Sequence, residues 1–136
     1  ETYTKKIQIE ARVLGDLAMN HILPVATACQ SRLIDAVYKM KELFAEEKSA
    51  RLTKENMKLI EEIGERVLFI TEHVDAMVEA RKVANKITDE REKAIAYHDH
   101  IAPMLEEIRY HVDKLELIVD NEKWTLPKYS ELLFIR

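Results

Sequence analysis

Five histidines, one cysteine and a scatter of arginines and carboxylates are the residues with chemical potential in this chain. A carboxylate-bridged di-metal site in a helical protein needs Glu-x-x-His on each of two helices, so that both ligands project from one face. Here the residues three before His21, His73, His98, His100 and His111 are Ala18, Ile70, Ile95, Tyr97 and Ile108, so that pattern is absent. His98 and His100 are two apart, which on a helix separates them by about 200° and keeps them off a common metal. His98 falls on an apolar row and is expected to be a buried, hydrogen-bonded core imidazole. His111 follows Glu107 by one turn, which suits an ordinary helix-surface hydrogen bond or ion pair. His21 lies between Leu17 and Val25, and His73 flanks an apolar stripe. HExxH is missing, and the single Cys29 excludes cysteine-rich zinc sites. Cys29 itself sits on an apolar stripe and reads as core. Ser31 and Ser49 have no histidine at a recognisable spacing for nucleophilic chemistry. Gly15 and Gly64 lie inside helical patterns, so no phosphate-cradling loop is present. The predicted catalytic, cofactor and metal residues are therefore none.

The elements that carry these residues are helical. The chain has 136 residues, 47% hydrophobic and 34% charged, with only 2 Gly and 3 Pro, the composition of long amphipathic helices. It is long enough for one domain with its own core. The net charge of −4, with acids and bases interleaved, gives no footprint for nucleic acid. No stretch suits a membrane span or a signal peptide. The lone cysteine fits a reducing compartment. The chain begins Glu1-Thr2-Tyr3 without Met, so we expect a piece excised from a larger protein.

Periodicity predicts an all-α fold: an elongated, antiparallel, up-down-up three-helix bundle with a short C-terminal helix, one domain over residues 1–136. Helices are expected over about residues 5–46, 50–87, 89–120 and 128–134. Helix one carries Ile7, Ala11, Leu14, Ala18, Ile22, Val25, Cys29, Leu33, Val37, Met40 and Phe44 on one stripe, with a kink expected at Pro24 where the ring crowds the Asn20 carbonyl. Gly15 offers close approach to a neighbour. The turn over residues 45–53 places Ser49 or Thr53 as a cap for helix two. That helix holds Ile60, Ile63, Val67, Ile70, Val74 and Met77 in strict alternating steps of three and four. Thr88 or Asp89 caps helix three, Asp89 forming a box-like pair with Glu92. Helix three carries Ala94, His98, Ile101, Leu105, Ile108, Val112, Leu115 and Val119, beside a second row of Tyr97, Met104, His111 and Ile118. Two rows give it two partners. Asp120-Asn121 is expected to end it, and Pro127 to open the short terminal helix. The tail is rich in apolar groups, with Trp124, Leu126, Tyr129, Leu132, Leu133, Phe134 and Ile135 within twelve residues. These either seal the bundle end or dock on a partner. Trp124, Leu126, Tyr129, Leu132, Leu133 and Phe134 are the candidate interface.

Two resemblances bear on function. IRYHVDKLELIV (residues 108–119), with Arg109, Lys114, Arg32 and Arg81 available to grip a dicarboxylate, is loosely similar to the all-helical mutases of the chorismate type. Arg109 and Lys114 nevertheless flank the apolar rows, where solvated charges are ordinary. More specifically, ARVLGDLAMNHILPVA (residues 11–26), MVEARKVAN (residues 77–85) and residues 108–134 with their Trp…Leu-Pro-Lys-Tyr…Glu-Leu-Leu-Phe ending resemble the C-terminal region of type III glutamine synthetases, the long-subunit bacterial class. Thr125 and Ser130 depart from that pattern, where Pro and Arg are expected. The resemblance implies a parent that ligates ammonia to glutamate with ATP and magnesium or manganese, assembled as stacked rings in the cytoplasm. It implies partners in an upstream catalytic domain and in neighbouring subunits. No catalytic motif of that family matches a position in this chain. The expected role is a structural or assembly domain without catalytic residues, binding no cofactor of its own. A small mutase-type enzyme and a stand-alone helical interaction module are the alternatives.

Overall fold

The computed structural model describes the backbone of residues 2–134 and the side chains of residues 3–119. All the regular structure it describes is helical, with no strand. The first run is α1 (Thr2–Leu17), a π turn (Ala18–Ile22) and α2 (Leu23–Leu43), continuous through all three. A short α3 (Glu46–Leu52) follows, then α4 (Lys54–Asn85). The last run is α5 (Glu90–Ala96), a second π turn (Tyr97–Ile101) and α6 (Ala102–Phe134).

Each π turn ends two residues before a proline, Pro24 or Pro103. A proline inside a helix offers no N–H, and its ring collides with the carbonyl four residues earlier. Those carbonyls belong to Asn20 and Asp99, each within its π turn. Widening the turn by one residue relieves the collision. The bonds across the turns run from the Leu23 amide to the Ala18 carbonyl and from the Ala102 amide to the Tyr97 carbonyl, five residues apart in both cases. The kink expected at Pro24 thus takes the form of a π turn, and Pro103 produces a second that the spacing of helix three had concealed.

The extra residue shifts the apolar register across each proline, so that a straight-helix row drawn on one side misses by one position beside it. On the first run the buried row is Ile7, Ala11, Leu14, Ala18, Ala26, Cys29, Leu33 and Val37. Ala26 has replaced the expected Val25, which is exposed. On the last run the row reads Tyr97, Ile101, Leu105, Ile108, Val112, Leu115 and Val119. His98 was expected in the core; instead its side chain is 73% exposed and pairs with Asp99 at 3.1 Å. Tyr97 takes the buried place, with no exposed surface. The straight-helix spacing fails there because the π turn rotates everything before it by one position. Helix two has no such interruption, and its Ile63, Ile70, Val74 and Met77 are buried as expected, with Ile60 and Val67 packed against the core.

The first turn is a short helix rather than a loop. Its hydroxyls do not cap α4 by accepting from free amides: Ser49 Oγ donates to the Glu46 carbonyl (3.0 Å) and Thr53 Oγ1 donates to the Ser49 carbonyl (2.7 Å). Both side chains are buried, and donating back to the preceding turn is how a buried hydroxyl finds a partner there. The second turn behaves as expected. The Asp89 carboxylate accepts from the Glu92 amide at 3.0 Å and caps α5.

The close approach expected at Gly15 is found at Gly64 instead. A Cβ on Gly15 would meet only Val74 Cγ1 at 4.0 Å, an ordinary contact. A Cβ on Gly64 would lie 3.2 Å from Gln30 Nε2, which donates to the Ile60 carbonyl at 2.9 Å. The close approach therefore belongs to Gly64. The stop expected at Asp120-Asn121 is absent, as is the separate helix after it, since α6 is helical to Phe134. No glycine follows Gly64 to supply a left-handed cap. Asp and Asn inside a helix each cost only about 0.7 kcal/mol, too little to end one.

Candidate functional site

Two polar clusters and a groove between helices bear on function. The first cluster lies where α1, the end of α4 and the second π turn meet. The Tyr97 hydroxyl donates to Asn85 Oδ1 at 2.5 Å, and Gln8 Nε2 donates to both Tyr97 Oη and Asn85 Oδ1 at 3.0 Å. Every partner comes from a different helical run, so the cluster ties three runs at one level. A buried phenol needs such partners, since an unpaired buried hydroxyl costs about 1–3 kcal/mol. Nothing in the spacing announced it, since the three partners lie 12 to 89 residues apart.

The second cluster lies between α4 and α6. Phe69 is sandwiched between His73 and His111, with ring centroids at 3.6 and 3.8 Å. Arg66 Nη1 lies 2.9 Å from His111 Nδ1 and Arg66 Nε lies 2.9 Å from a Glu62 oxygen. A guanidinium only donates, so His111 Nδ1 is the acceptor and carries no proton. By the same reasoning His73 Nδ1 carries a proton, because its partner at 2.9 Å is the Phe69 carbonyl. Burial first, then the Arg66 guanidinium and His73, hold the His111 imidazole below the ordinary histidine value, while Glu107 pulls the other way. Tyr110 sits beside this stack with Arg66 and Lys114 over its ring, at 5.8 and 5.4 Å. The His73–Phe69 pair was legible as an i, i+4 spacing; the cross-helix partners were not.

The groove runs between α1 and α6, about 440 Å³, lined by Ile9, Val13, Leu14, Leu17 and Val112 with Glu10, Arg109, Asp113 and Glu116 at its rim. Three carboxylates against one arginine make it a poor grip for a dicarboxylate. Arg109 pairs with Glu106 at 3.3 Å, Lys114 is over Tyr110, Arg32 is exposed on α2 and Arg81 is half-buried on α4. The four cations proposed for a mutase-type site are thus occupied or dispersed. His21 and His100 are exposed, and Cys29 is buried in the core. Among the described residues no group of three or more His, Cys, Asp or Glu is placed to hold a metal ion. Nor is any described helix long and apolar enough to cross a membrane. The side chains of Trp124, Leu126, Tyr129, Leu132, Leu133 and Phe134, the candidate interface, lie outside the described residues.

These arrangements commit polar side chains to joining helices, and comparison with known proteins gives them a setting. The family described as the glutamine synthetase C-terminal domain matches residues 1–41, which span α1, the first π turn and most of α2. A glutamine synthetase of Bacteroides fragilis (strain YCH46) is 51% identical over all 136 residues, which cover 19% of its length. A type-3 glutamine synthetase of Dictyostelium discoideum is 30% identical over the same 136 residues, 18% of its length. The chain therefore spans about a fifth of these relatives, and its likeness runs from end to end. That end-to-end likeness is to the C-terminal region of glutamine synthetases.

Proposed function

We propose that this domain is a structural and assembly module of a glutamine synthetase. The parent reaction joins ammonia to glutamate at the expense of ATP, with magnesium or manganese, and its machinery resides in upstream domains. The module's partners are that catalytic body and neighbouring subunits of a cytoplasmic ring assembly, reached through the tail residues Trp124, Leu126, Tyr129, Leu132, Leu133 and Phe134. The observation that carries the reading is the use of the polar side chains. Tyr97, Gln8 and Asn85 on one level, and Arg66, His111 and Glu62 on another, are spent on holding helices together.

The same reading takes the three long runs as an up-down-up bundle. Gln8 meets Asn85, the Gly15 site faces Val74 and Gln30 reaches Ile60, so numbering falls on α4 as it rises on the first run. Between α4 and the last run, Asn85 meets Tyr97 and Arg66 meets His111, again in opposite order. Short connections between long helices favour this antiparallel course.

The test is an assay of the purified chain with glutamate, ammonia, ATP and Mg²⁺ or Mn²⁺. We expect no glutamine and no phosphate release; measurable turnover would show that the chain holds a catalytic site and overturn the reading.

A further inference from the structure

Where α1 meets α5 there is a cavity of about 110 Å³, walled by Thr4, Lys5, Gln8, Glu90 and Lys93. It has room for a small ion and lies far below the roughly 300 Å³ at which pockets for drug-sized ligands begin. Thr4 is 7% exposed, and its Oγ1 is buried with no hydrogen-bond partner. A buried hydroxyl without a partner is uncommon and is one mark of an ion or water site. Gln8 does not serve it as a donor, because Nε2 already donates to Tyr97 Oη and Asn85 Oδ1.

Charge specifies the kind of ligand. Lys5 comes from α1 and the half-buried Lys93 from α5, so two ammonium groups line one small space. Among the described residues neither lysine is ion-paired, and Glu90 on the same wall pairs with neither. Like charges gathered and partly desolvated oppose the packing of α5 on α1, and an anion between them relieves that. Arg81 strengthens the positive field on this side of the bundle. Its Nε is likewise buried without a partner, and no described carboxylate pairs with it. These two orphaned groups stand one turn from Gln8 and one turn from Asn85, on either helix of the Gln8–Asn85 contact.

We infer that this cavity is a site for a small oxyanion of the phosphate type, held by Lys5 and Lys93 with the Thr4 hydroxyl as a further donor. An oxyanion accepts from all three groups. A metal cation would face two ammonium groups, and a neutral ligand would leave their charge unanswered. Glu90 opposes the anion, but the wall keeps a formal +1, two bases less one acid. The site goes beyond the assembly reading and does not depend on it.

Lysine acylation read by mass spectrometry tests this in the chain and in the full-length protein, with inorganic phosphate set against sodium chloride at equal ionic strength. Phosphate is expected to slow modification of Lys93 severalfold and saturably in both, while the exposed Lys39 on α2 reacts at an unchanged rate. Thr4→Val keeps the shape and removes the hydroxyl, and Lys5→Met keeps the stem and removes the charge; each is checked for retained helicity. The phosphate concentration giving half-protection is expected to rise about tenfold in either, as for loss of a hydrogen bond to a charged group. If Thr4→Val fails to fold, Lys5→Met at its exposed site decides alone. Equal protection by chloride, no protection of Lys93, or half-protection unmoved by the substitutions would each overturn the inference. Two results from the full-length protein would do so as well. A helical threonine ordinarily donates to the carbonyl four residues back, which for Thr4 lies upstream of Glu1. Protection in the chain but not in the full-length protein would mean that upstream backbone serves Thr4. Lys93 already protected there without phosphate would mean that an acidic side chain of the protein fills the cavity.

Discussion

The two π turns arise from the same cause and end in different places. Both answer a proline two residues downstream, and both pass a bond across five residues. The turn before Pro24 buries only Ala18 and leaves Met19, Asn20 and His21 exposed. The turn before Pro103 buries Tyr97 and Ile101 completely, and Tyr97 anchors three helical runs through Gln8 and Asn85. One turn accommodates a proline; the other uses the accommodation to aim a large side chain into the core. A backbone irregularity gains structural weight from the side chain it redirects.

The largest expected effect follows from that contrast. Tyr97→Ala should cost about 3–5 kcal/mol, the range for a truncated core aromatic, whereas His21→Ala in the other turn should stay within about 0.5 kcal/mol. Denaturant midpoints of the two variants check this, and similar losses would erase the distinction. Tyr97→Phe keeps the ring and removes the hydroxyl. Asn85 Oδ1 keeps its bond from Gln8, so a loss of about 1 kcal/mol is expected. A neutral result would mean that the polar cluster contributes only shape.

The prolines themselves should matter less. In Pro103→Ala the second π turn is expected to persist, because Tyr97 remains anchored; in Pro24→Ala the first should relax toward regular helix. Backbone chemical shifts over residues 18–22 and 97–101 distinguish the outcomes, with stability changes below about 1 kcal/mol in either. Retention of both turns would make packing, rather than proline, their common cause.

The smallest effect is that of pH, and it acts away from both turns. His111 lies below its ordinary value of 6.5 in the folded chain, so the unfolded chain binds its proton more readily as pH falls. Its contribution to stability is full above about pH 6.5, the unfolded histidine value, and is lost as pH drops through the folded value. His111→Gln should flatten that part of the stability profile, read as denaturant midpoints against pH.

Much of this architecture was legible in the sequence because the period is a local property. The α4 row was read residue for residue, and Asp89 was recognised as a cap from the Glu three positions on. Errors gathered where one residue changed the phase. Pro24 was noticed and Pro103 passed over, so His98 was assigned the place that Tyr97 fills. The Gln8–Asn85–Tyr97 and Arg66–His111 contacts were invisible for a different reason. Their partners are 12 to 89 residues apart, and no helical repeat links such positions. The α1–α6 groove was hidden likewise, since Ile9, Val13 and Leu17 lie off the buried stripe and read as incidental apolar residues on a charged face.

A scaffold role for this domain is tested most directly by the mass of the complete synthetase assembly. Native mass spectrometry of the full-length protein, intact and with the region corresponding to residues 1–136 removed, should show the proposed ring falling to smaller species when the domain is lost. An assembly of unchanged subunit number after the deletion would contradict it.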